Sequence, residues 1–254
     1  MPAPPHVLSR APYRDVKRSS YEVAVLPWGA TEPHNYHLPF GTDIIETEFI
    51  AAESARIACE KGAKLIVLPT IPFGVNTGQL DIPLTINMNP STQVAVLQDV
   101  VSSLEHHGVR KLVIVNGHGG NDFKQMIREV QPKVRLFLCT LNWYACVDPT
   151  PYFDEPGDHA GEMETSIMMH IASDLVLPLS EAGNGAERAM KIRAFRERWA
   201  WTPRQWTKAS SDTGVGNPKA ASAEKGARYI EAMTQKIGDF LTELAATDAT
   251  DMYE

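Results

Sequence analysis

Glu32, His34, His37 and Asp43 fall together in ATEPHNYHLPFGTD, residues 30–43, where Pro33 and Pro39 interrupt any regular helix. The prolines also restrict the residues before them, so the loop is expected to be stiff. Glu32 and His34 stand two positions apart, which on an extended backbone puts both side chains on one side. Two other stretches carry the same chemistry. NGHGGND (116–122) presents His118 and Asp122, and GDHAGEMETS (157–166) presents Asp158, His159, Glu162 and Glu164. Imidazole and carboxylate without thiolate suit Zn, Mn, Fe or Co rather than a cysteine-rich structural zinc. Two histidines and three acids are too many for one tetrahedral catalytic zinc that keeps an open position. They match two divalent ions sharing a bridging carboxylate and a bridging hydroxide. The expected chemistry is metal-assisted hydrolysis.

Each residue also has a plainer reading. Asp43 opens TDIIETEFIAAES, where a carboxylate caps a helix. His118 lies among Gly117, Gly119 and Gly120, in a turn where glycine permits positive φ and close backbone approach. That turn lacks both a P-loop lysine and the spacing of a dinucleotide fingerprint. His37 is read as a partner that orients a ligand. If a helix starts near Ala160, Glu162 and Glu164 point about 200° apart around it, so only one faces a crevice.

The elements that must position these groups alternate. YEVAVLPWG (21–29), AKLIVLPTI (63–71), RKLVIVNG (110–117) and KVRLFLCTLNW (133–143) are apolar on both faces, as strands of a parallel sheet covered on each side. TEFIAAESARIACEKG and STQVAVLQDVVSSLEHHG read as helices closed by Gly62 and Gly108 in left-handed caps. The alternation predicts an α/β fold, a mostly parallel sheet flanked by helices. Ligands of such sheets bind beyond the carboxyl ends of the strands. The first two polar clusters follow strands and the third opens a later helix, so all three are expected to face one crevice. A terminal helix is expected from Pro218 onward, with Gly226 and Gly238 weakening its continuity. The stretch RAMKIRAFRERWAWTPRQWTK (188–208) is aromatic and basic, and is read as a packed helix or subunit contact rather than a nucleic-acid interface.

The chain has 254 residues, 43% hydrophobic, with a formal net charge of −7. These values fit a single domain over residues 1–254 and argue against nucleic-acid or anionic-membrane partners. Cys59, Cys139 and Cys146 are odd in number and show no CxxC spacing, so no disulfide framework is expected. Cys139, inside an apolar run, reads as a buried, inert thiol. MPAPPHVLSRAPYRDV has no apolar core for a signal peptide, and no apolar run approaches the ~20 residues that span a bilayer. A cytoplasmic protein is expected.

Taken together, LPWGATEPHNYHLPFGTD, NGHGGN and HAGEMETS resemble the creatininase (creatinine amidohydrolase) family, supported by IPFGVNTGQLDIPLTINMNPST and GVGNPKAASAEKG. The resemblance spans roughly residues 21–230. It implies a creatininase-like three-layer sandwich, a two-metal hydrolase site loaded with Zn and/or Mn (or Fe), a small-molecule substrate and a homohexamer. By position it makes Glu32, His34, Asp43 and His118 metal ligands, with Asp43 bridging. It also makes His159 a proton carrier and Glu164 the acid of the ETS element. Trp143 matches a pocket-wall aromatic, with His37 and Asp158 as further substrate contacts. Creatininase carries an aromatic and a metal-binding glutamate where Gly119 and Gly120 stand here. Another carboxylate must then complete the second site, and Glu164 is preferred over Glu162 or Asp122. The activity implied is hydrolysis of a small cyclic amide by a metal-bridged hydroxide. The glycine turn also resembles branches acting on formamides, on a mycofactocin precursor peptide or on a cyclic keto-inositol. A non-catalytic metal-binding module is the remaining alternative.

Overall fold

The computed structural model describes residues 5–253. After a short helix α1 (Tyr13–Val16), the chain runs β1 (Val23–Trp28), α2 (Thr42–Glu60), β2 (Leu65–Val67), α3 (Pro90–His106) and β3 (Lys111–Asn116). It continues through α4 (Phe123–Val130), β4 (Phe137–Asn142) and α5 (Glu162–Ile171). Two single-turn helices, α6 (Arg193–Arg196) and α7 (Trp206–Ala209), precede the long α8 (Ala223–Ala246). The four strands form one parallel sheet in the order β2-β1-β3-β4.

Alternate residues of each strand feed two cores, as the period of a pleated strand requires. Val23, Val25, Val113 and Val115 face α2, α5 and α8 through Ile50, Ile167, Met233 and Ile237. Ala24, Leu26, Leu112 and Ile114 face α3 and α4 through Leu97, Val101, Phe123 and Met126. The result is the expected helix–sheet–helix sandwich. Helix α2 ends in Gly62 and α3 in Gly108, with φ of 95° and 77°, the left-handed caps read from the sequence. At the far end, buried Lys111 of β3 donates to the Leu244 carbonyl at 2.6 Å and the Ala245 carbonyl at 3.3 Å, placing a cation on the C-terminus of α8.

Two element readings change. Pro218 starts a 3₁₀ turn, and the helix begins at Ala223 under the Ser222 cap, then runs unbroken through both glycines. The stretch 188–208 is no packed helix. It holds α6 and the first residues of α7 between irregular segments, and Trp199 and Trp201 are 75% and 84% exposed. Charge every third or fourth residue imitated helical periodicity there, without an apolar stripe to bury. Among the described residues no helix is long and apolar enough to cross a membrane.

Candidate metal centre

The carboxyl ends of β1 and β3 lie side by side, with Trp28 level with Asn116, so the loops after them start from one edge. The loop after β1 turns back into α2. Gly29 makes this possible, since a Cβ there would lie 2.9 Å from the Asp43 carbonyl. The loop is pinned along its length. Asn35, at φ 54°, receives N–H groups from Tyr36 at 2.6 Å and Gly183 at 2.8 Å, while Pro39 accepts from the Thr42 hydroxyl at 2.8 Å. Its stiffness therefore comes from hydrogen bonds as well as from the prolines.

Asp43 is the second residue of α2, whose N-cap is Gly41, and its side chain does not cap the helix. It turns inward between two histidines. Its Oδ1 lies 3.0 Å from His34 Nε2 and its Oδ2 lies 3.1 Å from His118 Nδ1. His118 Nδ1 is also 2.8 Å from Glu32 Oε1, and His159 Nδ1 is 3.9 Å from that same oxygen. Three overlapping sets emerge, each with ligand atoms within 4.8 Å of one another: Glu32–Asp43–His118, His34–Asp43–Glu164 and Glu32–His34–His159. All six residues are buried.

Each imidazole is oriented from behind by a backbone carbonyl. His34 Nδ1 meets the Glu32 carbonyl at 3.1 Å, His118 Nε2 the Val75 carbonyl at 3.0 Å, and His159 Nε2 the Pro33 carbonyl at 2.8 Å. Since a carbonyl only accepts, each of those nitrogens carries the hydrogen, and the opposite nitrogen is the one turned on the cluster. The donor set and its supporting carbonyls fit divalent ions held by imidazole and carboxylate.

The electrostatics without ions are those of a closed charge network. Burial opposes charge on His34, but the Asp43 carboxylate overcomes it and lifts the imidazole to about 9. His118 likewise stays charged against its burial, raised well above the usual value by Glu32 and Asp43. Glu32 and Asp43 are both held below their ordinary values, the histidines outweighing burial. His159, by contrast, is lowered by burial and by the charge of His34, which favours the neutral ring. Burial raises Glu164 to about 7 despite the His34 charge.

The remaining candidates separate cleanly. Glu164 faces the cluster and accepts from the Ala160 N–H, Ala160 itself adopting φ 49°, rare for a residue with a Cβ. Glu162 points the other way, to Lys225 Nζ at 2.5 Å and the N–H groups of Asp154 and Glu155 at 2.9 and 2.7 Å. Asp122 caps α4 through the Lys124 N–H. His37 sits behind the cluster, its Nε2 2.9 Å from Thr165 Oγ1, and burial followed by the His34 charge lowers it to about 4. Asp158 pairs with Arg204 at 2.9 and 3.2 Å on a half-exposed surface. Trp143, expected on the substrate wall, lies fully enclosed in the core, with its indole N–H 3.3 Å from Thr47 Oγ1. Its place after β4 fits either role, and only packing separates them.

Sequence reasoning missed three groups. Gln79, within the stretch IPFGVNTGQLD, donates to Glu32 Oε2. Glu46 is one turn along α2 from Asp43, fully buried with neither carboxyl oxygen hydrogen-bonded; burial, then the charges of Glu164 and Asp43, raise it well above its usual value. Trp206 packs on His159. Spacing of three from Asp43 was the available signal for Glu46; Gln79 and Trp206 carried none beyond their stretches.

Fold and site thus define a three-layer α/β protein with overlapping histidine–carboxylate sets at the strand ends. The chain belongs to the creatininase family: the family model described as creatinine amidohydrolase matches residues 8–241. A Bacteroides fragilis protein, solved as a candidate creatinine amidohydrolase, is 45% identical, with a TM-score of 0.93 and 100% of each chain covered. The mycofactocin precursor peptide peptidase of Mycobacterium tuberculosis is 31% identical over 217 residues, covering 82% of this chain and 80% of that one. Creatinine amidohydrolase of Pseudomonas putida is 26% identical over 247 residues, 87% and 89% of the two chains. A creatininase structure of the Zn–Zn type and one with Mn share the fold at 22% identity, with TM-scores of 0.79 and 0.78, covering 95% of this chain and 98% and 99% of theirs. The chain is therefore a creatininase-family hydrolase.

Proposed function

We propose that the protein is a two-metal hydrolase that cleaves a small cyclic amide. The observation carrying this reading is Asp43, whose two oxygens face different histidines in different ligand sets. Glu32 and His118 would hold one ion, His34 and Glu164 the other, with Asp43 between them. Two divalent ions, Zn and/or Mn, supply a polarised carbonyl and a water acidic enough to attack near neutral pH. The chain's own part is to fix and to move protons. His159, anchored through Nε2 on the Pro33 carbonyl, keeps its Nδ1 lone pair for a proton and passes that proton to the leaving nitrogen. Gln79 holds Glu32 in place through its amide. Within this reading residues 1–254 form one domain of a cytoplasmic homohexamer.

A second substrate class is favoured by the likeness to the mycofactocin precursor peptide peptidase, 31% identical over 217 residues, and a linear peptide amide is the second reading. Elemental analysis together with a panel of creatinine, formamides, short peptides and a keto-inositol tests both. Two ions per chain and turnover of a cyclic amide are expected. Turnover confined to peptides establishes the second reading. A clear keto-inositol rate without amide turnover points to carbon–carbon cleavage, and full metal with no turnover to a non-catalytic module.

A further inference from the structure

The aromatic and basic stretch 188–208 reaches the metal centre at its end. Trp206 sets its indole edge-to-face against the His159 imidazole, with centroids 4.6 Å apart and planes at 60°. The Arg204 guanidinium covers the same indole at 4.7 Å from its centroid. Arg204 is itself held by Asp158, which precedes His159 in the chain, and by Glu187 at 2.8 Å. The segment is tied down on both sides of Trp206. The Thr207 hydroxyl bonds Asp81, and the Arg204 carbonyl packs so closely on Gly78 that a Cβ there would lie 1.9 Å from it. Gly78 adjoins Gln79, the residue that holds Glu32. Trp206 is half-buried.

A ring held by one hydrogen bond at Nε2 can still swing about that bond. The indole blocks this swing on one side of His159, and the His34 ring, 4.2 Å away between centroids, blocks it on another. The proton handed over from Nδ1 goes to the leaving nitrogen, so whatever that nitrogen carries lies beside His159 and hence beside Trp206. We propose that Trp206, clamped by Arg204, is the positioning residue for His159 and the wall against which a planar group on the leaving nitrogen packs. This rests on His159 as the proton carrier, and it deepens the amide reading to amides whose leaving nitrogen bears a flat, apolar substituent.

The test uses the zinc-loaded full chain with Trp206→Ala and Trp206→Phe, metal content being measured in each. His159 ring protons, assigned through their loss in His159→Gln, are followed by NMR. In Trp206→Ala they are expected to shift and broaden at unchanged metal content, with Phe restoring a single sharp signal. Acetanilide and N-methylacetamide then serve as probes. Acetanilide should move the Trp206 indole N–H signal, and N-methylacetamide should not. For any amide that the wild type turns over, kcat should fall roughly tenfold or more in the Ala variant, as misplaced catalytic groups do, and recover in Phe. Unmoved His159 signals in Trp206→Ala overturn the positioning role, as does a loss of metal that accounts for the change. An unmoved indole signal with acetanilide overturns the wall. Both NMR readouts stand even if no amide is turned over, so failure of the hydrolase reading is told apart from failure of this one.

Discussion

On the proposed ligand assignment, protons in metal-stripped protein should take the places of the cations. His34 and His118 each present both ring nitrogens to acceptors, a carbonyl behind and a carboxylate in front, so each carries two hydrogens there. An entering ion must displace the front proton. Loading at pH 7 is therefore expected to release at least two protons per chain, two from the imidazoles and a further fraction from Glu164, because imidazole and carboxylate ligate only when deprotonated. Calorimetry in buffers of differing ionisation enthalpy measures the number; a value near zero would show that these histidines do not meet the metal. Asp43→Ala and His118→Ala should each lower bound metal from two ions toward none or one and abolish turnover together. Full metal with lost turnover would remove them from the ligand set. Glu46 makes the opposite expectation, for stability. A carboxyl raised in the folded state keeps its proton there while the unfolded chain loses it, so its cost grows as pH climbs above about 4.5. Glu46→Gln should stabilise the metal-free protein by about 1 kcal/mol or more at pH 7 and by little at pH 4.5, read from urea midpoints. The cluster itself was legible, because Glu32, His34 and Asp43 share one loop. Glu46 was legible only through its spacing of three from Asp43, since a glutamate among TDIIETEFIAAES otherwise looks like an ordinary exposed helix residue.

Helices carry the next level of constraint, and their glycines distinguish packing from propensity. Gly226 of α8 lies against α5, where a Cβ would stand 2.0 Å from the Ser166 carbonyl oxygen. Alanine favours an isolated helix over glycine by about 1 kcal/mol, yet backbone cannot yield as a flexible side chain can. Gly226→Ala is therefore expected to lower the thermal midpoint and, because Ser166 neighbours Glu164 on α5, to weaken metal retention as well. Gly119→Ala, with open space around it, should change neither; differential scanning calorimetry with metal analysis on the pair checks the contrast. An unaltered midpoint in Gly226→Ala would mean that α5 and α8 are free to slide apart. Strands and caps were readable at this scale because apolar runs and terminal glycines are local signals. The stretch 188–208 was not, because its basic residues recur at helical spacing although the chain buries no continuous face there. Likewise Asp43 looked like a cap because capping needs only its position at the helix start, whereas its inward turn depends on Gly29 bringing β1 against α2.

Over the whole molecule the buried charges set how stability depends on pH, and metal binding should oppose that dependence. Glu164, raised to about 7, lets the folded protein hold a proton that the unfolded chain releases near its ordinary value, so stability falls between about 4.5 and 7. His34, raised to about 9, contributes stability that is complete below 6.5 and is lost as pH rises through 9. Asp43 acts in the other direction only on acidification, because a depressed carboxyl keeps its contribution above 3.8 and loses it below. The lowered His37 and His159 oppose this trend up to about 6.5, because there the unfolded chain takes up protons that the folded one does not, so the metal-free protein should lose thermal stability chiefly from about pH 6.5 to pH 9. Metal affinity rises over the same interval, since the protons competing for His34 and His118 become easier to displace, and a ligand bound only to the folded state stabilises by RT ln(1 + [L]/Kd). The gap between the midpoints of loaded and chelator-treated protein should therefore widen from pH 5 to pH 9. Calorimetry at fixed free zinc across that range decides it. A gap that stays constant would separate metal binding from these histidines and place the ions, if any, elsewhere in the fold.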